Sequence, residues 1–333
     1  MRCATAALCA TAAALVLAAG ASAHPTAPTG PASAGSVATF FYPWYGTPAR
    51  DGSWQHWNQG SRQPPDTIAS GWYPARGAYS SSDPAVLRAQ MSEIAAAGID
   101  TVIVSWWGPG SPEDARLPLV AAAARAAGLR VAAHVEPFGG RDPLTLAPAL
   151  QRLAAYGVHD FYVYDSVRSP DESWRELNAA LEGVRLFANT GLPGKALAGG
   201  FAGLYTYDVL LFDGSSFPRM CASARRHGLA CAPSVGPGYD ARRATGDRRV
   251  QPRLRGARYD RMWRAAVRAR ADIVTITSYN EWHEGTQIEP ARAGAPGYAS
   301  YAGAWGAVGR AAERAYLDST ARWAARYRAL VVG

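Results

Sequence analysis

Residues 273–289 have the sequence IVTITSYNEWHEGTQIE. The first four, Ile273–Ile276, form a short β-branched apolar run without helical spacing, which predicts a buried strand. Directly after it, Asn280 to Glu284 supply a carboxamide, two carboxylates, an indole and an imidazole, and Gly285 permits a tight turn. Charge at a buried strand end is costly, so we expect the two carboxylates to have the perturbed pKa values that acid and base catalysis requires.

Spacing alone leaves a second interpretation open, in which Glu281 and Glu284 are surface acids held in ion pairs. The position of the segment within the fold decides between the two interpretations. Apolar, β-branched runs alternate with helical segments along the chain, and Gly or Pro separates them. The eight predicted strands are 37–42, 101–107, 130–136, 161–165, 185–188, 203–207, 230–235 and 273–276. The predicted helices are 83–97, 117–127, 144–156, 217–227, 259–270 and 317–330.

Eight strands alternating with helices predict an α/β fold, a single (β/α)8 TIM barrel. A doubly wound open sheet is the alternative, because the connection 189–200 is short for a crossover between parallel strands. Polar and aromatic side chains cluster where the predicted strands end, which in a barrel is the active face. Taken singly they have simpler explanations: His134 as a core histidine, Trp106 as a packing residue and Asp165 as a helix cap.

The N-terminus has the pattern of an export signal. A basic start, an apolar run and small residues before His24 predict a signal peptide over residues 1–23, cleaved after Ala23. A membrane anchor is the alternative, but the apolar run is short for a span, so we expect no stable membrane insertion. Residues 24–36 are rich in Pro, Ala, Gly and Ser and predict a disordered leader. The catalytic domain then covers residues 37–333, and the mature protein is expected to be secreted.

The composition and charge of the chain limit the classes of ligand that it is expected to bind. The net charge of +8 comes from arginines scattered through predicted helices, which indicates a solvated surface and no nucleic-acid binding. The 11 Trp and 16 Tyr residues suit hydroxyl-rich ligands such as sugars, beside their usual packing role. Cys221 and Cys231 remain after signal removal; an oxidising compartment permits their pairing, but the sequence leaves it open. No second thiol pair is spaced for zinc.

Two carboxylates beside aromatic side chains favour glycosidic bond cleavage. The chain lacks a phosphate-binding loop, a dinucleotide fingerprint and the Gly-x-Ser-x-Gly elbow typical of esterases. His134 and His283 could join acidic residues around a metal, but no H-E-x-x-H spacing is present, so we predict neither metal nor cofactor.

At this point the chain resembles glycoside hydrolase family 99, the endo-α-mannosidases and bacterial endo-α-1,2-mannanases. The similarity extends from about Phe40 to Glu289. The motifs that carry it are Tyr42-Pro-Trp-Tyr-Gly46, Tyr79-Ser-Ser-Ser-Asp-Pro84, Ser105-Trp-Trp107, His134-Val-Glu-Pro137, Phe161-Tyr-Val-Tyr-Asp-Ser166, Tyr205-Thr-Tyr207, Pro233-Ser-Val-Gly-Pro-Gly-Tyr239 and Asn280 to Glu289.

The resemblance implies a retaining, metal-free barrel enzyme that cuts inside α-mannosyl chains. Glu281 would act as a base on the sugar's own 2-hydroxyl, which forms a 1,2-anhydro intermediate. Glu284 would protonate the leaving oxygen and then activate water. Trp107, where animal members tend to have Tyr, points to a mannose-terminated substrate. The candidate sugar-binding residues are Tyr42, Trp44, Trp106, Trp107, His134, Glu136, Tyr205, Tyr207, Asn280 and His283.

The expected partner is therefore an α-mannose-containing oligosaccharide or polysaccharide, bound by a monomer. Two other functions stay open. One is a barrel that binds carbohydrate without cleaving it, although retention of both acids argues against a dead site. The other is a related hydrolase that acts on a different α-linked glycan.

Overall fold

A computed structural model of the chain describes residues 32–331 and contains a barrel of parallel strands wrapped by helices. The strands are apolar on both faces because one face lines the barrel and the other packs on helices. The strands of this sheet are β1 (Ser36–Phe41), β2 (Thr101–Trp106), β3 (Arg130–Val135), β4 (Val158–Val163), β5 (Arg185–Asn189), β6 (Gly203–Tyr205), β7 (Ala230–Ala232), β8 (Ser234–Val235) and β11 (Ile273–Ile276). Their order around the sheet is β7-β6-β5-β4-β3-β2-β1-β11-β8.

The barrel closes through Pro233. Because proline has no backbone N–H, it divides the predicted seventh strand into β7 and β8. The first half pairs with β6, where Cys231 lies opposite Leu204. The second half pairs with β11, where Ser234 lies opposite Thr275. The two halves count as one barrel strand, so the predicted (β/α)8 barrel is confirmed.

The helices lie on the outside of the barrel, and several begin with proline behind a capping side chain. Ser111 caps α3 by accepting from the Asp114 N–H, so this helix begins five residues before its predicted start. The short connection after β5 contains the six-residue helix α6, which suffices for the crossover. The helices are α1 (Pro48–Asp51), α2 (Pro84–Ala96), α3 (Pro112–Ala126), α4 (Pro143–Ala154), α5 (Asp171–Ala180), α6 (Pro193–Ala198), α7 (Phe217–Arg226), α8 (Ala257–Arg268), α9 (Gly309–Glu313) and α10 (Ala315–Val331). Sequence reasoning missed α1, α5, α6 and α9.

Two further observations concern a loop hairpin and the hydropathy of the helices. The loop after β8 carries a small antiparallel hairpin of β9 (Tyr239–Asp240) and β10 (Val250–Gln251). Between residues 32 and 331, none of the helices combines the length and the hydropathy that crossing a bilayer requires.

Side chains alternate strictly along the strands, which decides what reaches the active face. On β1, Ala38 and Phe40 point into the barrel, whereas Val37 and Phe41 pack against the surrounding helices. Continuing the same alternation past the last strand residue brings Tyr42 to the rim. The residues on the other strands that also point into the barrel therefore form the floor of any site at this face.

The base of the barrel is closed by the end of the predicted leader. Ala32 is buried; its N–H donates to Asp160 Oδ2 at 2.9 Å, and its carbonyl accepts from Arg185 Nη2 at 2.7 Å. Arg185 also forms a two-point ion pair with Asp160. Disorder predicted for 24–36 is thus wrong for residues 32–36, because these contacts anchor them. The signal peptide and residues 24–31 lie outside the described residues.

Cys221 and Cys231 form a disulfide bond between α7 and β7, which settles the pairing that the sequence left open. Both cysteines are fully buried, and their Cα atoms are 5.2 Å apart. The bond ties an outer helix to the strand where the barrel closes.

The Cys221→Ala/Cys231→Ala variant is expected to lower the free energy of unfolding by about 3 kcal/mol, because a cross-link ten residues apart restricts the unfolded chain. Urea denaturation of oxidised wild type and variant measures the difference. Alanine leaves the packed surroundings nearly intact, so a difference below about 1 kcal/mol would contradict a stabilising role.

Candidate active site

The segment after β11 folds back on itself and presents its acids at the barrel rim. The Ser278 N–H donates to the Thr286 carbonyl, and the Ile288 N–H donates to the Ser278 carbonyl, each at 2.9 Å. Gly285 has a φ of +64°, and a Cβ there would lie 2.6 Å from the Trp72 ring. Only glycine meets both demands, so it closes the turn directly behind Glu284.

A buried carboxylate anchors the end of this segment. Glu289 is fully buried and accepts four hydrogen bonds, all of 2.8 to 2.9 Å. The donors are Arg76 Nε, Gln90 Nε2, Tyr79 OH and Trp282 Nε1. The network holds Trp282 away from the cleft and leaves its two neighbouring acids to face the barrel axis.

Glu281 is a buried carboxylate without a cationic side-chain partner. Its Oε1 accepts the backbone N–H groups of His283 at 2.8 Å and Glu284 at 3.2 Å. No arginine or lysine in residues 32–331 pairs with it, so the surface ion-pair interpretation is wrong for this residue. Burial, and then the charge of Glu284, raise the pKa of Glu281 well above its ordinary value.

Glu284 lies at the same rim and is partly accessible. Its Oε2 accepts a long hydrogen bond of 3.4 Å from the Tyr207 hydroxyl, which itself lies 2.5 Å from the Tyr42 hydroxyl. Burial and the nearby charges of Asp208 and Glu136 raise the pKa of Glu284 to about 7. A carboxyl group with this pKa is half protonated at neutral pH and can act as an acid or as a base.

His283 stays neutral beside these acids. Burial, and then His56, lower the pKa of its imidazole to about 4. In the neutral ring, Nε2 carries the proton and donates it to the His56 carbonyl at 2.8 Å. The Nδ1 atom, 4.0 Å from Glu281 Oε1, therefore brings no positive charge to that carboxylate.

Glu281 and Glu284 open on a cleft of about 160 Å³ whose walls are aromatic. Trp44 forms one wall, and its ring is stacked on His56 with centroids 4.6 Å apart and planes 8° apart. Trp107 is 37% exposed and forms another wall. The remaining lining residues are Tyr42, His134, Glu136, Pro137, Tyr164 and Tyr207.

Glu136 brings a third carboxylate to the cleft. Its Oε1 accepts from Ser105 Oγ at 2.8 Å and lies 2.9 Å from His134 Nδ1. The other ring nitrogen of His134 lies 2.9 Å from the Tyr205 hydroxyl. His134 is thus a hydrogen-bonded link between the barrel interior and the cleft.

A second depression of about 100 Å³ adjoins the first on the far side of Glu284. Both share Tyr164, Tyr207 and Glu284. Asp208, Tyr239 and Arg249 belong to the second depression alone. Because Tyr164, Tyr207 and Glu284 line both, the two depressions adjoin at Glu284, and we call them together the groove.

The structure gathers most of the predicted site residues but not all. Trp106 is fully buried, and its indole N–H donates to Asp114 Oδ1 at 2.7 Å, so it cannot contact a ligand. Tyr205 is buried inside the barrel under His134. Asn280 is buried as well; it accepts from the Tyr42 N–H at 2.7 Å and donates to the Tyr42 carbonyl at 3.0 Å. None of these three side chains lines the cleft, and neither does the buried His283, so the structure places four of the predicted sugar-binding residues behind the cleft.

Sequence reasoning did not include Tyr164, Asp208, Tyr239 and Arg249 among the site residues, although all four line the groove. Asp208 directly follows the Tyr205-Thr-Tyr207 motif, so its position at a strand end was a usable signal. Arg249 lies in a loop without periodicity, and no pattern indicates it. Tyr239 lies in a motif used for the family resemblance, but its role there was not assigned. Within residues 32–331, no group of three or more His, Cys, Asp or Glu side chains has an arrangement suited to a metal ion.

The family model described as glycosyl hydrolase family 99 matches residues 34–329. A "Glycoprotein endo-alpha-1,2-mannosidase-like protein" of Danio rerio is 35% identical over 76% of the chain and 70% of its own length. The Homo sapiens protein of the same description is 33% identical over 76% of the chain and 68% of its own length.

A solved structure agrees in fold. The family 99 endo-alpha-mannosidase from Bacteroides thetaiotaomicron has a TM-score of 0.78 and 28% identity, and the match covers 90% of this chain and 99% of that one. The family model spans nearly the whole described region, with both rim acids inside it. This chain therefore belongs to glycosyl hydrolase family 99 and is a glycoside hydrolase.

Proposed function

We propose that this protein is an endo-acting α-mannosidase that cleaves α-1,2-mannosidic bonds by a two-carboxylate mechanism with retention of configuration. The observation that carries the proposal is the pair of a buried Glu281 and a half-buried Glu284, two carboxyl groups with raised pKa values on one aromatic-walled cleft. The Danio rerio and Homo sapiens relatives, both described as endo-alpha-1,2-mannosidase-like, support mannose as the sugar.

In the first step, Glu281 removes the proton of the sugar 2-hydroxyl. The 2-oxygen attacks C1 to form a 1,2-anhydro sugar, the glycosidic C1–O bond breaks, and Glu284 gives its proton to the leaving oxygen. In the second step, ionised Glu284 removes a proton from water, and the water oxygen attacks C1. The anhydro ring opens, and its oxygen recovers a proton from Glu281. Two inversions at C1 give net retention, and the attack requires an axial 2-hydroxyl, as mannose has.

The surroundings of the two acids suit these roles. The backbone N–H groups of His283 and Glu284 both point at Oε1 of Glu281 and leave Oε2 available to the sugar. Because His283 is neutral, no cation reduces the basicity of Glu281. Glu284, with a pKa of about 7, can donate a proton in one step and accept one in the next.

The two depressions of the groove also indicate which part of the substrate lies beside each acid. Both acids line the aromatic-walled cleft, whereas Glu284 alone lines the second depression with Asp208 and Arg249. The reacting mannose therefore occupies the cleft beside Glu281, and the leaving sugar occupies the depression beyond Glu284. Trp107 closes the cleft end with an exposed indole, which fits a mannose-terminated chain.

A bell-shaped pH dependence of kcat/KM is expected for the wild type. The reaction begins with Glu284 protonated, so the rate falls as pH rises through its pKa of about 7. Glu281 must be ionised, so the rate also falls at low pH, from a pKa well above that of an ordinary glutamate. Initial rates across the pH range in buffers of constant ionic strength measure both limbs. A rate that stays constant from pH 6 to 9 contradicts the role of Glu284 as acid.

We also propose that the protein is exported and acts as a monomer. The disulfide Cys221–Cys231 supports export, because such bonds persist in oxidising compartments. Mass spectrometry of protein from the culture medium tests the signal peptide, and an N-terminus at His24 is the expected result.

The activity test uses purified mature protein with an α-1,2-mannan, and with an α-linked glucan as control. Nuclear magnetic resonance of the products at early times shows whether the new reducing end keeps the α configuration. Release of α-configured mannooligosaccharides from the mannan alone is expected. Glucan cleavage instead would indicate a hydrolase for another α-linked glycan, and binding without cleavage would indicate a carbohydrate-binding barrel.

A further inference from the structure

The positive charge of this protein is concentrated on one side of the barrel. Helices α7, α8 and α10 together contain ten arginines and two aspartates, a net charge of +8. That equals the net charge of the whole 333-residue chain, so the remainder is neutral on balance. In the barrel α8 packs against both α7 and α10, so arginines that are scattered in sequence become neighbours.

Most of these arginines are exposed and lack an acidic partner. Arg258 is buried and Arg328 pairs with Asp100; the other eight are exposed, and among them Arg225 also donates to the carbonyls of Ala269 and Arg270 at 2.9 Å. Within residues 32–331, none of the eight forms an ion pair with a carboxylate. We call them the basic face: Arg219, Arg225, Arg226, Arg261, Arg264, Arg268, Arg322 and Arg326.

The acids on these helices do little to balance the charge. Asp260 is occupied by two indoles, accepting from Trp305 Nε1 at 3.0 Å and Trp323 Nε1 at 2.7 Å. Asp318 is the other. On α8, Arg261, Arg264 and Arg268 follow one another at spacings of three and four residues, where like charges repel. This repulsion between like charges costs stability, and an external anion would relieve it.

We infer that the basic face binds an acidic polysaccharide, held along the outside of the barrel while the cleft remains open. The cleft opens at the carboxyl ends of the strands, whereas the arginines lie on the outward sides of three helices. A polymer on this face would keep the enzyme close to a glycan matrix without blocking its groove. The choice of a glycan rests on the proposed glycosidase function.

The shape of the face favours a flexible polyanion over the other anionic surfaces. A membrane-surface helix needs an apolar flank beside its cations, and among the side chains of these three helices that the structure describes, the single exposed large apolar one is Leu330. Duplex DNA is read by a helix that enters its major groove, whereas the arginines of the basic face are spread over three helices, of which α8 contacts both α7 and α10. An extended acidic chain can follow arginines across all three helices.

The test measures binding of fluorescein-labelled heparin, a sulfated polysaccharide, by anisotropy at about 50 mM NaCl. The Arg226→Gln/Arg264→Gln/Arg268→Gln variant is expected to bind about 100-fold more weakly than wild type, because each cation lost near an anionic surface reduces affinity several-fold. None of these three side chains makes a hydrogen bond within the described residues, so the fold should tolerate the change.

The matched control is Arg88→Gln/Arg248→Gln/Arg310→Gln, which removes the same charge from exposed positions on other elements. It should bind heparin within about threefold of wild type. Equal losses of heparin affinity in both variants would mean that the net charge of the protein, and not the basic face, determines binding, and would overturn the inference. So would wild-type binding to duplex DNA or to phosphatidylglycerol vesicles without binding to heparin. Cleavage of a neutral α-mannoside should be equal in all three proteins; its absence in all three would refute the proposed function and not the binding.

Discussion

The Glu284→Gln variant is expected to lose about 1,000-fold to 10,000-fold of kcat on an α-mannoside whose leaving group is another sugar. A sugar alkoxide is a poor leaving group, and Glu284, with a pKa of about 7, is the protonated group at the boundary between cleft and depression. Glutamine preserves the side-chain shape but cannot donate the proton. Steady-state kinetics on a mannooligosaccharide measure the loss.

A substrate with an acidic phenol as leaving group separates protonation from other roles. Departure of such a phenol needs no proton, so the Glu284→Gln variant should release it in a rapid first turnover at a rate within about tenfold of wild type. The surface variant Glu172→Gln, on the exposed side of α5, serves as the control and should match wild type on both substrates. Equal loss on both substrates would contradict the role of Glu284 as the acid.

The Glu281→Gln variant is expected to lose about 1,000-fold or more of kcat on both kinds of substrate, because the base is required whatever leaves. Its dependence on the 2-hydroxyl gives a second readout. Wild type should not turn over a 2-deoxy substrate, which has no oxygen to form the anhydro ring. Turnover of the 2-deoxy sugar by wild type would show that Glu281 does not act through that hydroxyl.

Stability offers an independent check on the Glu281→Gln variant. The folded protein raises the pKa of Glu281 above its unfolded value, so ionisation of this group opposes folding. The protonated carboxyl group of Glu281 therefore contributes stability that is fully present below the unfolded pKa, and this stability is lost as pH rises through the folded pKa. At pH 8 the glutamine variant should therefore have a higher Tm than wild type, and at pH 4 the two should be close. A lower Tm at pH 8 would indicate that the variant is damaged rather than specifically inactive.

The local signals in the sequence predicted the barrel well. Short β-branched runs and helix caps depend on neighbouring residues, so β11 (Ile273–Ile276) was predicted to the residue. The missed helix α6 is six residues long, too short for a periodic pattern to identify. Likewise, the composition of residues 24–36 did not indicate the anchoring of Ala32, since its hydrogen bonds with Asp160 and Arg185 join distant segments and leave no local pattern.

For the site, the order of residues along each strand identified the candidate site residues, but it did not show which way their side chains point. Trp106 and Trp107 are adjacent and equally plausible as sugar platforms, yet alternate residues of a strand point to opposite faces. Trp106 points to the helices and is buried, whereas Trp107 reaches the cleft. Two adjacent residues therefore have different roles, since Trp106 supports the site and Trp107 faces it.

By itself the sequence determined the strand and helix order, the barrel, and the two carboxylates that follow the last strand, because these depend on contacts between near neighbours in the chain. Tertiary structure alone decided that His56 stacks on Trp44 and accepts a hydrogen bond from His283, 227 residues away. It alone joined Cys221 to Cys231, and it gathered scattered arginines into the basic face. Each of these is a meeting of separate segments, and only the packing of helices and loops around the closed barrel brings such segments together.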